Sequence, residues 1–136
     1  MITFVFPKVL FFERIKKSKL QLMLTIYHNP RCGKSRDCLA FLDEKNIPYQ
    51  TVLYLKENPN KLQLQELLQK LDIPAIDLIR KNEAVWKEKF SNQQFTEAQL
   101  IQILVEYPIL IQRPIVVGIE KAVVARPVEN CTSLLP

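Results

Sequence analysis

The spacing of apolar positions changes several times along the chain, and each change marks an element. "MLTIY", residues 23–27, is a short strand-like run that stops at the turn residues "HNP". In "GKSRDCLAFLDEKN" the period lengthens: Cys38, Leu39, Phe41 and Leu42 recur at three and four, the signature of one helix face. "IPYQTVLYL" reads as a second strand, bounded by Pro48 and "KENP". Residues 23–56 therefore predict strand–helix–strand, a parallel unit with a right-handed crossover. Asn58 followed by Pro59 predicts a helix start, with Leu64, Leu67, Leu68 and Leu71 as its core stripe. "PAIDLIRKNEAVWKEKF" predicts two short helical pieces around Asn82, and Thr96 with Gln99 predicts a capping box for "TEAQLIQILVEY". "PIVVG" and "AVVA" read as an antiparallel hairpin, and "RPVENCTSLL" as a short last helix. The order predicts one small α/β domain with a mixed sheet.

The first 22 residues break this pattern. "ITFVFPKVLFF" is apolar, but Pro7 and Lys8 interrupt it, and it is too short to span a bilayer. The basic "ERIKKSK" follows. Residues 1–22 are expected to form a poorly ordered extension, with Met23 as an alternative start. A basic amphipathic arm is the competing reading, and Pro7 argues against it.

Composition narrows the classes. At 136 residues, 48% hydrophobic and 24% charged, the chain is ordinary globular material. A net charge of +5 suits anionic substrates or partners. No Lys/Arg stripe interleaves with aromatics, so neither nucleic acid nor a membrane is expected as a partner. The three cysteines and one histidine have no zinc-like spacing, so no metal is expected. An odd, sparse cysteine count fits a reducing, cytoplasmic setting.

Chemistry concentrates in "YHNPRCGKSRDC", residues 27–38. Cys32 falls at a predicted helix N-terminus, where the dipole and unpaired N–H groups favour both a thiolate and a bound anion. Lys34, Arg36 and His28 are close in sequence. Polar neighbours on both sides argue against a buried, inert cysteine. Cys38 is different. Six helical residues turn roughly 600°, so it points about 120° away from Cys32 and joins the apolar face. Position 35, where a dithiol motif places its second cysteine, is Ser35. A phosphatase-type loop would need arginine at position 38, and Arg36 comes two residues early. The loop is thus a single-thiol site.

The hairpin adds two cations. Arg113 and Arg126 are equidistant from a turn centred between Ile119 and Glu120, so an antiparallel pairing sets them opposite each other. Opposed like charges are unfavourable unless an anion lies between them. Arg80, in "LIRKNE", is a third candidate inside a stretch that reads as helical.

Together, "YHNPRCGKSR", "LIRKNE", "RPIVV" and "ARP" resemble the glutaredoxin-coupled arsenate reductases of bacteria, the thioredoxin-fold ArsC family. The resemblance covers residues 23–136. It implies a thioredoxin-like mixed β-sheet with an inserted helical segment at about 58–106. It implies that Cys32 attacks arsenate, that His28 favours the thiolate, and that Ser35 belongs to the same loop. Arg80, Arg113 and Arg126 would surround the oxyanion. The implied cycle forms a cysteine–arsenic adduct that glutathione and glutaredoxin resolve, with glutathione a co-substrate and no tightly bound cofactor. Two alternatives stand beside it: a glutathione-dependent thiol reductase of this fold with another substrate, and a regulator resembling the RNA polymerase-binding Spx proteins. Ser35 in place of a second cysteine counts against the latter.

Overall fold

The computed structural model describes residues 23–135, so the expectations for 1–22 lie outside the described residues. The element order is β1 (Leu24–Tyr27), α1 (Gly33–Glu44), β2 (Tyr49–Val52), α2 (Lys61–Leu71), a 3-10 turn at Ala75–Leu78, α3 (Ala84–Lys89), α4 (Glu97–Glu106), a 3-10 turn at Pro108–Leu110, β3 (Ile115–Val117), β4 (Ala122–Val124) and a closing 3-10 run, Val128–Leu134. The sheet order is β2-β1-β3-β4. β1 pairs in parallel with β2, whereas β1–β3 and β3–β4 are antiparallel.

The alternation of side chains divides the interior into two layers. Leu24, Ile26, Val116 and Ala125 face α1, where they meet Cys38, Leu42 and Cys131. Ile115 and Ala122 point the other way, into the helical segment, against Leu64, Leu67, Leu78, Leu104 and Tyr54. A sheet covered on both faces by helical chain is the reason the three- and four-spaced leucines of α2 are buried at Leu64, Leu67 and Leu68.

Topology gathers chain ends at one edge. β1 and β2 run in parallel, and Tyr27 pairs with Ile115 while Ile115 pairs with Val124. The C-terminal ends of β1, β2 and β4 and the N-terminal end of β3 therefore coincide. The loops leaving that edge carry Cys32, Tyr54, Arg126 and Arg113. Arg80 arrives by another route. It is expected from sequence in a helical stretch, but it lies in extended chain between the Ala75–Leu78 turn and α3. An isolated antiparallel bridge, Ile79↔Ile111, holds that segment, with Arg80 N–H donating to Leu110 O at 2.7 Å and Gln112 N–H to Leu78 O at 2.9 Å. Backbone pairing, rather than helix, brings Arg80 alongside the approach to Arg113.

The start of α2 is also corrected. Its cap is Asn60, not Asn58: Gln63 N–H donates to Asn60 Oδ1, and Asn60 N–H to Gln63 Oε1, a reciprocal box. Pro59 lies outside the helix, and an Asn with a glutamine three residues on satisfies two orphan N–H groups where Asn58 would satisfy one. The Thr96–Gln99 box of α4 forms as expected. Replacing Asn60 by alanine should lower unfolding free energy by about 1 kcal/mol. Leu104→Ala, at a fully buried site, should cost about 2–5 kcal/mol. Chemical denaturation midpoints measure both, and equal losses would contradict this packing.

Candidate functional site: a single thiol facing a buried arginine

Cys32 is the N-cap residue of α1, with extended backbone (φ −92°, ψ 122°), and its own N–H donates to Asn29 O at 3.0 Å. Two contacts build the loop that leads to it. Arg31 N–H donates to Asn29 Oδ1 at 3.0 Å, an Asx turn. Arg36 Nη1 donates to Pro30 O at 3.0 Å, clamping the loop onto the first turn of α1.

Beneath the loop, Ser35 is wholly buried. Its Oγ accepts from Asn29 N–H at 3.0 Å and lies 2.7 Å from His28 Nδ1. The Ser35 hydroxyl thus ties the His28 ring to the Asn29 backbone, with the imidazole tautomer deciding which of Oγ and Nδ1 donates. The His28 pKa lies below its ordinary value, because burial, and then the Arg36 charge, disfavour the imidazolium. His28 thus sits here as a neutral ring that fixes Ser35, not as a cation beside the sulfur. Ser35, the position of a second cysteine in dithiol motifs, is a structural hydroxyl.

The thiol is half-buried, and burial by itself would push its pKa up. The Ser35 N–H, the Arg113 guanidinium and the Lys34 N–H act in the other direction and win, so the Cys32 pKa is lowered. Lys34 acts here through its backbone. Of the cations near Cys32 in sequence, none is the one that reaches it: that is Arg113, 81 positions away.

Arg113 is itself pulled out of water, with a side chain 13% exposed. Its Nη1 lies 3.7 Å from Glu83 Oε1, and the same oxygen accepts from Arg80 Nε at 3.0 Å. Glu83 therefore sits between two arginines and relieves their repulsion. Arg113 Nε and Nη1 are nonetheless buried without a hydrogen-bond partner. Arg126 is exposed, and it lines a cavity of about 460 Å3 with Arg80, Lys81, Asn82 and Gln112. The sulfur does not line that cavity. The structure thus joins Cys32 to Arg113, Arg113 to Arg80 through Glu83, and Arg80 to Arg126 across a basic cleft.

The other thiols are isolated from this chemistry. Cys38 and Cys131 are both fully buried behind α1. Burial, then the neighbouring Cys131, pushes the Cys38 pKa up to about 12, and burial likewise raises that of Cys131. Among the described residues no cluster of His, Cys, Asp and Glu could hold a metal ion, and no helix is long and apolar enough to cross a membrane. Tyr54 and Glu83 are site neighbours that the sequence pattern did not reveal. Tyr54 reads as one more strand residue. Glu83 carries no signal beyond its place three residues after Arg80.

These features define a thioredoxin-like protein whose one accessible thiol is activated by a helix N-terminus and a buried arginine. The sequence pattern of the ArsC family matches residues 27–134, and the chain belongs to that family. It is 38% identical over 114 residues to an arsenate reductase of Escherichia coli, covering 83% of this chain and 81% of the relative. It is 39% identical over 112 residues to the uncharacterized protein YfgD of E. coli K12, covering 81% and 94%. Among solved structures it is similar to an arsenate reductase from Vibrio cholerae, with a TM-score of 0.80 at 35% identity over 84% of this chain and 98% of the other.

The thiolate and not the thiol is alkylated, so reaction of Cys32 with iodoacetamide should rise with pH through a midpoint below that of an ordinary thiol. Arg113→Ala removes the facing cation and should move the midpoint up, while His28→Gln, which removes a neutral ring, should move it much less. Alkylation rate against pH, read by mass spectrometry at Cys32, measures this. An unshifted midpoint in Arg113→Ala would show that the helix terminus alone sets the thiolate.

Proposed function

We propose that this protein reduces arsenate to arsenite through a covalent adduct at Cys32, with glutathione and glutaredoxin as the source of electrons. The observation that carries the reading is the buried Arg113 guanidinium, with Nε and Nη1 lacking hydrogen bonds, against a cysteine whose pKa is lowered. Planar guanidinium donors match the oxygens of a tetrahedral anion, and charge-assisted bonds of this kind are strong. The names of the relatives point the same way.

Cys32 attacks arsenic, forming an S–As bond as an arsenic–oxygen bond breaks and the oxygen leaves as water. Arg113 offsets the negative charge gathered on the remaining oxygens, and Arg80 and Arg126 supply the wider basic cleft. Preorganised donors of this kind are worth roughly 3 kcal/mol each in comparable acyl-transfer sites. Arsenic is still pentavalent at this point, and a second thiol is needed. Cys38 and Cys131 are too buried and too weakly acidic to provide it. The second sulfur therefore comes from solution: glutathione displaces a further oxygen as water. A glutaredoxin thiolate then attacks the glutathione sulfur, and the S–As electron pair passes to arsenic, reducing it to the trivalent state. The products are a glutaredoxin–glutathione disulfide and a Cys32–As(III) species, which water cleaves to arsenite and free thiol.

Arsenate should drive NADPH consumption when the protein is coupled to glutathione, glutaredoxin and glutathione reductase. Cys32→Ser should abolish it, and Arg113→Ala should lower kcat/KM by roughly 100-fold or more. Cys38→Ala and Cys131→Ala should keep turnover. Wild-type protein inactive in this assay would sink the reading.

A further inference from the structure

Beyond the arginines, one buried group at this edge of the sheet has no structural partner. β2 ends at Val52, and the chain then turns, with Lys56 and Glu57 N–H donating to Leu53 O at 2.9 and 2.8 Å. Tyr54 keeps the alternation of β2 past its end: two residues after Val52, it faces the same core cluster, where it is 0% exposed. Its ring packs in the larger core cluster and stacks on Tyr27 at 6.5 Å. The ring is explained by this packing, but the hydroxyl is not. Tyr54 Oη is buried and meets no hydrogen-bond geometry; the polar group turned to it is the Arg113 guanidinium, which can only donate, so the phenolic proton has no acceptor in the protein. Phenylalanine would fill the same space without stranding a polar atom, so packing gives no reason for the oxygen.

The surroundings of that oxygen supply one. Its electrostatic neighbours are Arg113, Arg80 and Cys32. Arg113 brings two further unpartnered nitrogens to the same place. Donors from two chain segments, next to a sulfur whose pKa is lowered, form a set of complementary groups that share no acceptor. An anion with several oxygens satisfies them together. A guanidinium can only donate, whereas a phenol is neutral, so it adds a directed bond without adding to the repulsion between Arg80 and Arg113.

We propose that the Tyr54 hydroxyl is a hydrogen-bond donor to an oxygen of the anion held at Cys32, a fourth ligand beside the arginines. The proposal rests on the reading that Cys32 engages an oxyanion, and it assigns this tyrosine to anion binding instead of to the core alone.

The test is protection of Cys32 from iodoacetamide by added arsenate, with sulfate as a second probe, at a pH where the thiolate is fully formed. Wild-type protein should be protected in a saturable way. Tyr54→Phe should need roughly tenfold more anion or beyond for the same protection, since a hydrogen bond to a charged group is lost. Its melting temperature should equal or exceed that of the wild type, because no protein partner is lost. Wild-type protection retained unchanged in Tyr54→Phe would overturn the role of Tyr54 and leave the oxyanion site standing. A fall in melting temperature with unchanged protection would also overturn it, by making the hydroxyl a structural group. No protection of the wild type would remove the oxyanion site, and the tyrosine's role with it.

Discussion

The site depends on the attraction between the Cys32 sulfur and the Arg113 guanidinium. Each member is partly withdrawn from water, and each is there because the other offsets the cost. Burial by itself would raise the pKa of the thiol and lower that of the guanidinium. The Ser35 N–H and then Arg113 reverse the first, and the sulfur's contact reverses the second, so the Cys32 pKa is lowered and that of Arg113 raised. The pairing is not local. It exists because β1 and β3 are antiparallel neighbours in the register Tyr27↔Ile115, which sets the end of one strand against the start of the other. A slip of one residue in that register would turn Ile115 from the helical segment toward α1 and carry Arg113 with it. Core packing on two faces of the sheet, through Val116 on one and Ile115 on the other, is therefore what fixes the chemistry.

Much of this was legible in the chain before any coordinates. Strand and helix periods located the parallel unit and the hairpin, and the equidistance of Arg113 and Arg126 from the turn centre matches the observed pairs Ile115↔Val124 and Val117↔Ala122. The Thr96 capping box was equally plain, because its two hydrogen bonds are local. What pattern missed was non-local or competed with another local choice. Asn58 and Asn60 both offer a cap, and only the reciprocal Gln63 bond decides between them. Arg80 lies between two helical pieces, and the bridge that straightens the chain there joins its neighbour Ile79 to Ile111, 32 positions on. Tyr54 continues an apolar, aromatic run in the style of a strand, so its period places it on the helical-segment face with Val52 but gives no sign that its hydroxyl meets Arg113.

The local cations illustrate the same limit. Arg31, Lys34 and Arg36 crowd the loop in sequence, yet their side chains do not activate the sulfur. Arg36 holds the loop through the Pro30 carbonyl. His28, neutral by virtue of its own burial, holds Ser35. Proximity along the chain is a poor guide to electrostatics because a side chain at an exposed position is screened and turns outward, whereas a buried one acts at short range in a low dielectric.

A site built this way concentrates positive charge in little water. Arg113 keeps two nitrogens without hydrogen bonds and shares Glu83 with Arg80, at 3.7 and 3.0 Å. One carboxylate between two guanidinium groups leaves a local excess of positive charge. Packing in the helical segment holds that excess in place: the Ile79↔Ile111 bridge and the fully buried Leu110 and Ile111 keep Arg80 from swinging into water. Such a surplus is unfavourable for stability and useful for catalysis, since donors already oriented need no reorganisation when negative charge arrives. It also explains the role of Glu83. Without it the two arginines would repel each other apart; a second carboxylate beside them would cancel the charge of the pair. The single glutamate leaves the positive remainder pointed at the sulfur.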